Sequence, residues 1–173
     1  MKVRAERQAE TRRRIVEAAA HLHATLGPAA TSVSAIAERA GVQRHTVYAH
    51  FADDRLLFGA CSAHWAEAHP YPDVASLDLR DALLAVYAWF EENETALALF
   101  ARDAHLYPEV RAARERARGR LARRLAAQLG SRRAPRAAVG HALSFETWRS
   151  LVRAEGLTRR QAVDAMVAFA RAV

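Results

Sequence analysis

Six polar side chains crowd one short stretch of the chain: Gln43, Arg44, His45, Thr46, Tyr48 and His50. That mixture suits the reading of a duplex better than bond-breaking chemistry. Arginine takes guanine bidentately and glutamine takes adenine. Threonine, tyrosine and histidine more often hold the sugar–phosphate backbone and set the register. A solvated helix face would use the same residue types, so these residues alone leave that alternative open. Elsewhere catalytic patterns are missing. His21 and His23 lie two apart and diverge on a helix, while His64 and His69 lie five apart and fit one helical face poorly. No Gly-rich phosphate loop, Ser-His-Asp signature or His-Glu-x-x-His run occurs. The expectation is a protein that is not an enzyme, with no catalytic residue, no metal site and no cofactor. Cys61 is the single cysteine. It excludes an internal disulfide and a Cys-based zinc cluster, and reads as a small apolar filler on a helix.

Reading side chains need a rigid frame, and the flanking pattern supplies one. Ile15, Ala18, Ala19, Leu22 and Leu26 recur at helical spacing, which predicts a first amphipathic helix over residues 11–26, stopped by Gly27-Pro28. Ser32 is placed to cap a second, short helix with the apolar stripe Val33, Ile36, Ala37 and Ala40. Gly41 breaks it by taking positive φ. A third short helix carries Val47 and Phe51 on one face. Asp53 caps a fourth, from Asp54 to about His69, ended by Pro70 and Pro72. The two short helices around the Ala-Gly-Val turn make a helix-turn-helix over residues 32–51. In that motif the second helix enters the major groove and the first crosses the backbone.

Downstream, longer helices are expected at about 76–92, 94–105, 108–129, 135–153 and 158–172. The fold class is therefore all-α: a three-helix, homeodomain-like N-terminal domain over residues 1–69 and a helical bundle over 70–173. The apolar fraction is 51% and the charged fraction 26%, which suits a globular chain with a real core. No apolar run approaches the roughly 20 residues that cross a bilayer, and no secretory signal is visible, so the expected location is cytoplasmic and off the membrane. The net charge of +7 suits a polyanionic partner. Its distribution says more: residues 61–100 hold only Arg80 against seven acids, between two basic blocks. The arm Lys2, Arg4, Arg7 and Arg12–Arg14 precedes the first helix and could track phosphates, or be a solvated terminus. The second basic block holds the run from Arg111 to Arg124, which reads either as a surface paired with Glu91, Glu92 and Glu94 or as a further anion contact.

The segment Thr11–Ala60 resembles the N-terminal domain of TetR-family regulators. The resemblance rests on Ala18, Ala19, Leu22, Gly27, Val33, Ile36, Ala37, Ala40, Gly41, Val42, Thr46, Val47, Tyr48, His50 and Phe51, with Ser32 standing in for a capping threonine. It implies that Tyr48 and His50 contact phosphates and that Thr46 sits at the mouth of the groove. It makes Arg44 and His45 the base readers beside Gln43, with Ser32 and Ser34 contributing from the supporting helix. Three positions depart from the family pattern. His23 stands where phenylalanine is usual and Pro28 where an aromatic often follows the glycine. Asp54 stands where a lysine often grips phosphate, so that either Arg55 takes over that contact or the contact is missing.

The same resemblance implies a dimer, a double-stranded and palindromic operator, and a sensing cavity in the C-terminal bundle. Two recognition helices roughly 34–36 Å apart would enter successive major grooves. The last two long helices would pair with their copies, Gly140, Ser144 and Trp148 on one line and Val163, Val167 and Arg171 on the other. His64, Trp65, Trp89, Phe100, His105, Tyr107, Phe145 and Trp148 are the candidates for the cavity, with His141 as a further polar group. Such a lining suits a small hydrophobic or aromatic effector, although aromatics at helical spacing also build cores. The implied function is a transcriptional repressor released from its operator by a small molecule. The alternative is a ligand-independent DNA-binding or architectural protein on the same fold.

Overall fold

The computed structural model of the chain describes residues 2–130 and 132–173. The described residues form ten α-helices and no strand, so the chain is all-α. It divides into two units, Met1–Pro70 with Thr95–Val110 and Tyr71–Glu94 with Arg111–Val173. The unit changes at Pro70, where the prolines end the fourth helix. Residues 95–110 then return to the first unit, which a cut in sequence order does not anticipate.

The first unit is built on α1 (Lys2–Thr25), α2 (Val33–Ala40), α3 (Arg44–His50) and α4 (Asp54–Ala68). α1 starts well before residue 11. The basic arm expected ahead of the helix is its first turns, because nothing between Lys2 and Arg14 breaks a helix. The side chain of Lys2 lies outside the described residues. Ile15, Ala18 and Ala19 of α1 meet Ile36, Ala37 and Ala40 of α2, Val47 of α3, Phe51, and Leu57, Phe58 and Cys61 of α4 in one buried cluster. Each start follows from a cap: the Ser32 hydroxyl accepts the Ala35 N–H, and the Asp53 carboxylate accepts the Leu56 N–H. Gly41 ends α2 in the left-handed region, at φ 63° and ψ 40°, a conformation that strains residues with a Cβ. The rest of the unit comes from α6 (Glu94–Arg102) and the turn after it. There Phe100 meets Trp65 edge-on and Tyr107 stacks on Phe58 at 3.6 Å.

The second unit comprises α5 (Leu79–Glu92), α7 (Pro108–Ala126), α8 (Arg133–Ala142), α9 (Phe145–Arg149) and α10 (Arg159–Ala172). α9 runs on as one π turn, Ser150–Ala154. α5 sends Leu83, Val86, Tyr87 and Phe90 into a core shared with Leu125, Val139, Trp148, Val163 and Val167. The continuous helix expected over 135–153 is in fact two. Ser144 leaves the helical conformation and its hydroxyl accepts the Thr147 N–H, capping a new helix. Gly140, Ser144 and Trp148 therefore do not lie on one helical line. Ser144 and Trp148 are buried in their own unit, as are Val163 and Val167. The acids expected opposite the arginine-rich helix also bond elsewhere: Glu94 to Arg153 and Glu91 to Arg159.

Candidate nucleic-acid interface

Val47 and Phe51 anchor α3, and their burial sets which side of this two-turn helix faces water. Gln43, Arg44, His45 and Tyr48 are exposed, with Thr46 and His50 half-buried at the margins. Gln43 is the N-cap of α3, yet its side chain makes no capping bond, so the amide faces outward. Arg44 Nη2 donates to the Tyr48 hydroxyl at 3.3 Å, and its guanidinium lies 5.7 Å from the centre of that ring. This short helix thus presents a cation, a phenol and the His45 imidazole to solvent, with His50 at its margin. Tyr48 is 45% exposed, high for a large aromatic with no packing role. Ser34 is exposed on α2. Ser32 is exposed too, but its oxygen already accepts the capping bond, which leaves only its hydroxyl hydrogen for a phosphate.

The expected arginine arm behaves differently from a free phosphate-tracking tail. Arg12 lies over the Phe51 ring at 4.7 Å. Arg13 bonds Glu10 and Glu17 on its own helix. Arg14 donates to the Ala40 carbonyl at 3.0 Å, satisfying the end of α2 just before Gly41. Two of these three arginines therefore hold the helix-turn-helix rather than reach beyond it. Arg4, Arg7, Asp54 and Arg55 are exposed, so a carboxylate does sit on the first turn of α4. Beneath the surface, His23 is buried between α1 and α4, and its Nδ1 lies 3.2 Å from the Cys61 thiol. Burial pulls the imidazole down to about 4 against the opposing charge of Asp103, and pushes the thiol up to about 12. Both are neutral at physiological pH, so this pair is a satisfied element of the core.

The eight residues expected to line a cavity divide between the two units. His64, Trp65, Phe100, His105 and Tyr107 belong to the first unit; Trp89, Phe145 and Trp148 belong to the second. Trp65, Phe100, Phe145 and Trp148 are buried core residues, whereas His105 is exposed. The Trp148 indole N–H has no acceptor among the described residues. None of the eight lines a cleft of about 620 Å³ in the second unit, whose walls combine polar groups such as Glu115, Arg118, His141 and Thr147 with the apolar Leu151 and Met166. A hydrogen-bonded chain runs along it: Ser144 Oγ lies 2.8 Å from Thr147 Oγ1, which lies 3.3 Å from His141 Nε2. Among the described residues no group of three or more His, Cys, Asp or Glu is placed to hold a metal, and no helix is long and apolar enough to cross a membrane.

Two residues that the sequence reading passed over hold the loop that leads into the helix-turn-helix. Arg102 and Asp103, at the end of α6, bond to the loop between α1 and α2. Their partners lie 74 to 76 positions away, and no local pattern marks such a pair.

Residues 15–61 match the family model of bacterial regulatory proteins of the tetR family. The match spans the helix-turn-helix and about half of the helix on either side of it. No curated protein and no solved structure matches the chain.

Proposed function

The chain carries the DNA-binding domain of the tetR family of bacterial regulators over residues 15–61, and from that premise we propose that it is a dimeric repressor which leaves its operator when a small molecule binds the second unit. DNA-binding transcriptional regulation follows from the domain itself; repression, release and pairing are our reading. The observation that carries it is the exposed row Gln43, Arg44, His45 and Tyr48 on a helix locked down by Val47 and Phe51. Arg44, His45 and Gln43 are the base readers in this reading. Tyr48, His50, Thr46, Ser32, Ser34 and Arg55 hold phosphates.

One short helix reads too few bases for useful specificity, and two-fold pairing doubles the site. Ala165, Ala168, Phe169 and Ala172 support such pairing. They are exposed on α10 at helical spacing, and Phe169 is 45% exposed. The outward face of α10, rather than Val163 and Val167, is thus the pairing surface we assign. For the effector we assign the cleft in the second unit, since Trp65, Phe100, Phe145 and Trp148 are buried in the cores of their units. Its hydroxyls, imidazole and charges, set beside Leu151 and Met166, suit a small ligand with both polar and apolar groups.

The test is selection of bound duplexes from a randomised pool by the full chain, followed by titration of the selected operator. Enrichment of a palindrome with two half-sites about one helical turn apart is the expected result. Enrichment of no sequence, or of single half-sites bound by a monomer, would count against the reading.

A further inference from the structure

The loop between α1 and α2 decides how the chain enters the helix-turn-helix, and it is held from a distant part of the sequence. Asp103 is 3% exposed, and its Oδ2 accepts the Ala29 N–H at 2.9 Å. Arg102 grips the same carboxylate through Nε at 2.7 Å and Nη2 at 2.9 Å, and its Nη2 also donates to the Leu26 carbonyl at 3.2 Å. The two residues thus bond both sides of Gly27. Gly27 itself has φ 92°, and a Cβ there would lie 2.3 Å from Arg102 Nη2 and 2.7 Å from Asp103 Oδ2. The Gly27 carbonyl accepts the Thr31 hydroxyl at 2.8 Å, one residue before the Ser32 cap of α2. A continuous set of bonds therefore runs from the end of α6 to the first turn of α2.

We propose that Asp103, clamped by Arg102, is a positioning residue for DNA recognition: it sets the Leu26–Ala29 loop and through it the placement of α2 and α3. The DNA reader on this view comprises residues 2–70 and 95–110, and so extends beyond the matched segment 15–61. Residues 95–110 are joined at both ends to chain that belongs to the second unit. This inference rests on the DNA-binding reading of α3. A buried carboxylate suits such a task because its acceptors, once desolvated, bind strongly only when the donors keep their geometry.

The experiment uses the full chain and an operator selected by the wild type. Asp103→Asn, Arg102→Ala and Gly27→Ala are compared with Leu83→Ala, which weakens the second unit's core without touching the loop. DNA affinity is measured at a temperature where circular dichroism shows each variant folded, and backbone hydrogen exchange is followed in parallel. We expect Asp103→Asn and Arg102→Ala to weaken operator binding roughly tenfold or more, the scale of one lost base contact. Exchange should speed up over residues 27–35 while the α1–α4 core stays protected. Leu83→Ala should lower the melting temperature yet bind like the wild type. If folded Asp103→Asn and Arg102→Ala bind within twofold of the wild type, or weaken binding with no change in loop protection, the proposal fails. Failure of the wild type to enrich any duplex would instead overturn the DNA-reading assignment, while the exchange data would still report whether the latch holds the loop. Should Gly27→Ala not fold, the two polar variants decide.

Discussion

The guanidinium of Arg44 lies over the ring of Tyr48 and donates to its hydroxyl, at 5.7 and 3.3 Å. The two side chains that the recognition helix offers most openly are therefore already arranged with respect to each other before DNA arrives. Pre-organisation of this kind lowers the side-chain entropy lost on binding. Arg44→Ala should cost about 1–3 kcal/mol of operator affinity and relax specificity at one base pair. Tyr48→Phe should weaken all sequences alike and leave the salt dependence unchanged, since a neutral hydroxyl displaces no counterion. Titrations of both variants on the selected operator and on single-base mutants check this. Wild-type affinity in both would remove α3 from the interface.

Asp54 places a negative charge on the first turn of α4, where it favours the helix dipole but repels phosphate. Asp54→Lys should therefore tighten DNA binding and steepen the dependence of log K on log salt by about 0.9, one phosphate contact. It should also cost about 0.3–1 kcal/mol of stability through the lost dipole interaction. Affinity measured across a salt series, beside urea denaturation, separates the two effects.

His23 gives the first unit an acid-sensitive core. Its folded pKa of about 4 lies below the ordinary 6.5, so the unfolded chain binds the extra proton first. The resulting stability is fully present above pH 6.5 and is lost as the pH falls toward 4. A depression of that size corresponds to about 3 kcal/mol. His23→Phe should flatten urea-denaturation midpoints between pH 4 and 6.5 relative to the wild type. An unchanged pH profile in that variant would assign the acid sensitivity to another group.

Pairing through α10 is read from Phe169 and the alanines around it. Phe169→Glu should yield a monomer by light scattering, with a melting temperature that no longer rises with protein concentration. Its DNA affinity should drop by orders of magnitude, since each half-site then binds alone. A dimer that survives Phe169→Glu would move the interface to another face.

The first unit was legible in the sequence because its logic is local. Ser32 and Asp53 announce helix starts, Gly41 a left-handed stop, and Ile36, Ala37, Ala40, Val47 and Phe51 a buried stripe. Each signal acts within a turn or two of its own residue. The exposure of Gln43, Arg44, His45 and Tyr48 follows from the same periodicity. Even the early start of α1 was implicit, as the residues before Arg14 include no breaker. Proximity across tens of residues was not legible. The sequence does not show that Asp103 reaches Ala29, that His23 meets Cys61 or that Arg14 closes α2. Nor does it show that Ser144 starts a new helix and turns Trp148 into the core. Those contacts depend on which helix faces meet, and many pairings of apolar stripes satisfy one composition. The chain alone thus determined that this protein has a surface for reading DNA. Tertiary packing decided what holds that surface in place and where a second ligand has room, because buried hydrogen bonds and cavities exist only once particular faces have closed on each other.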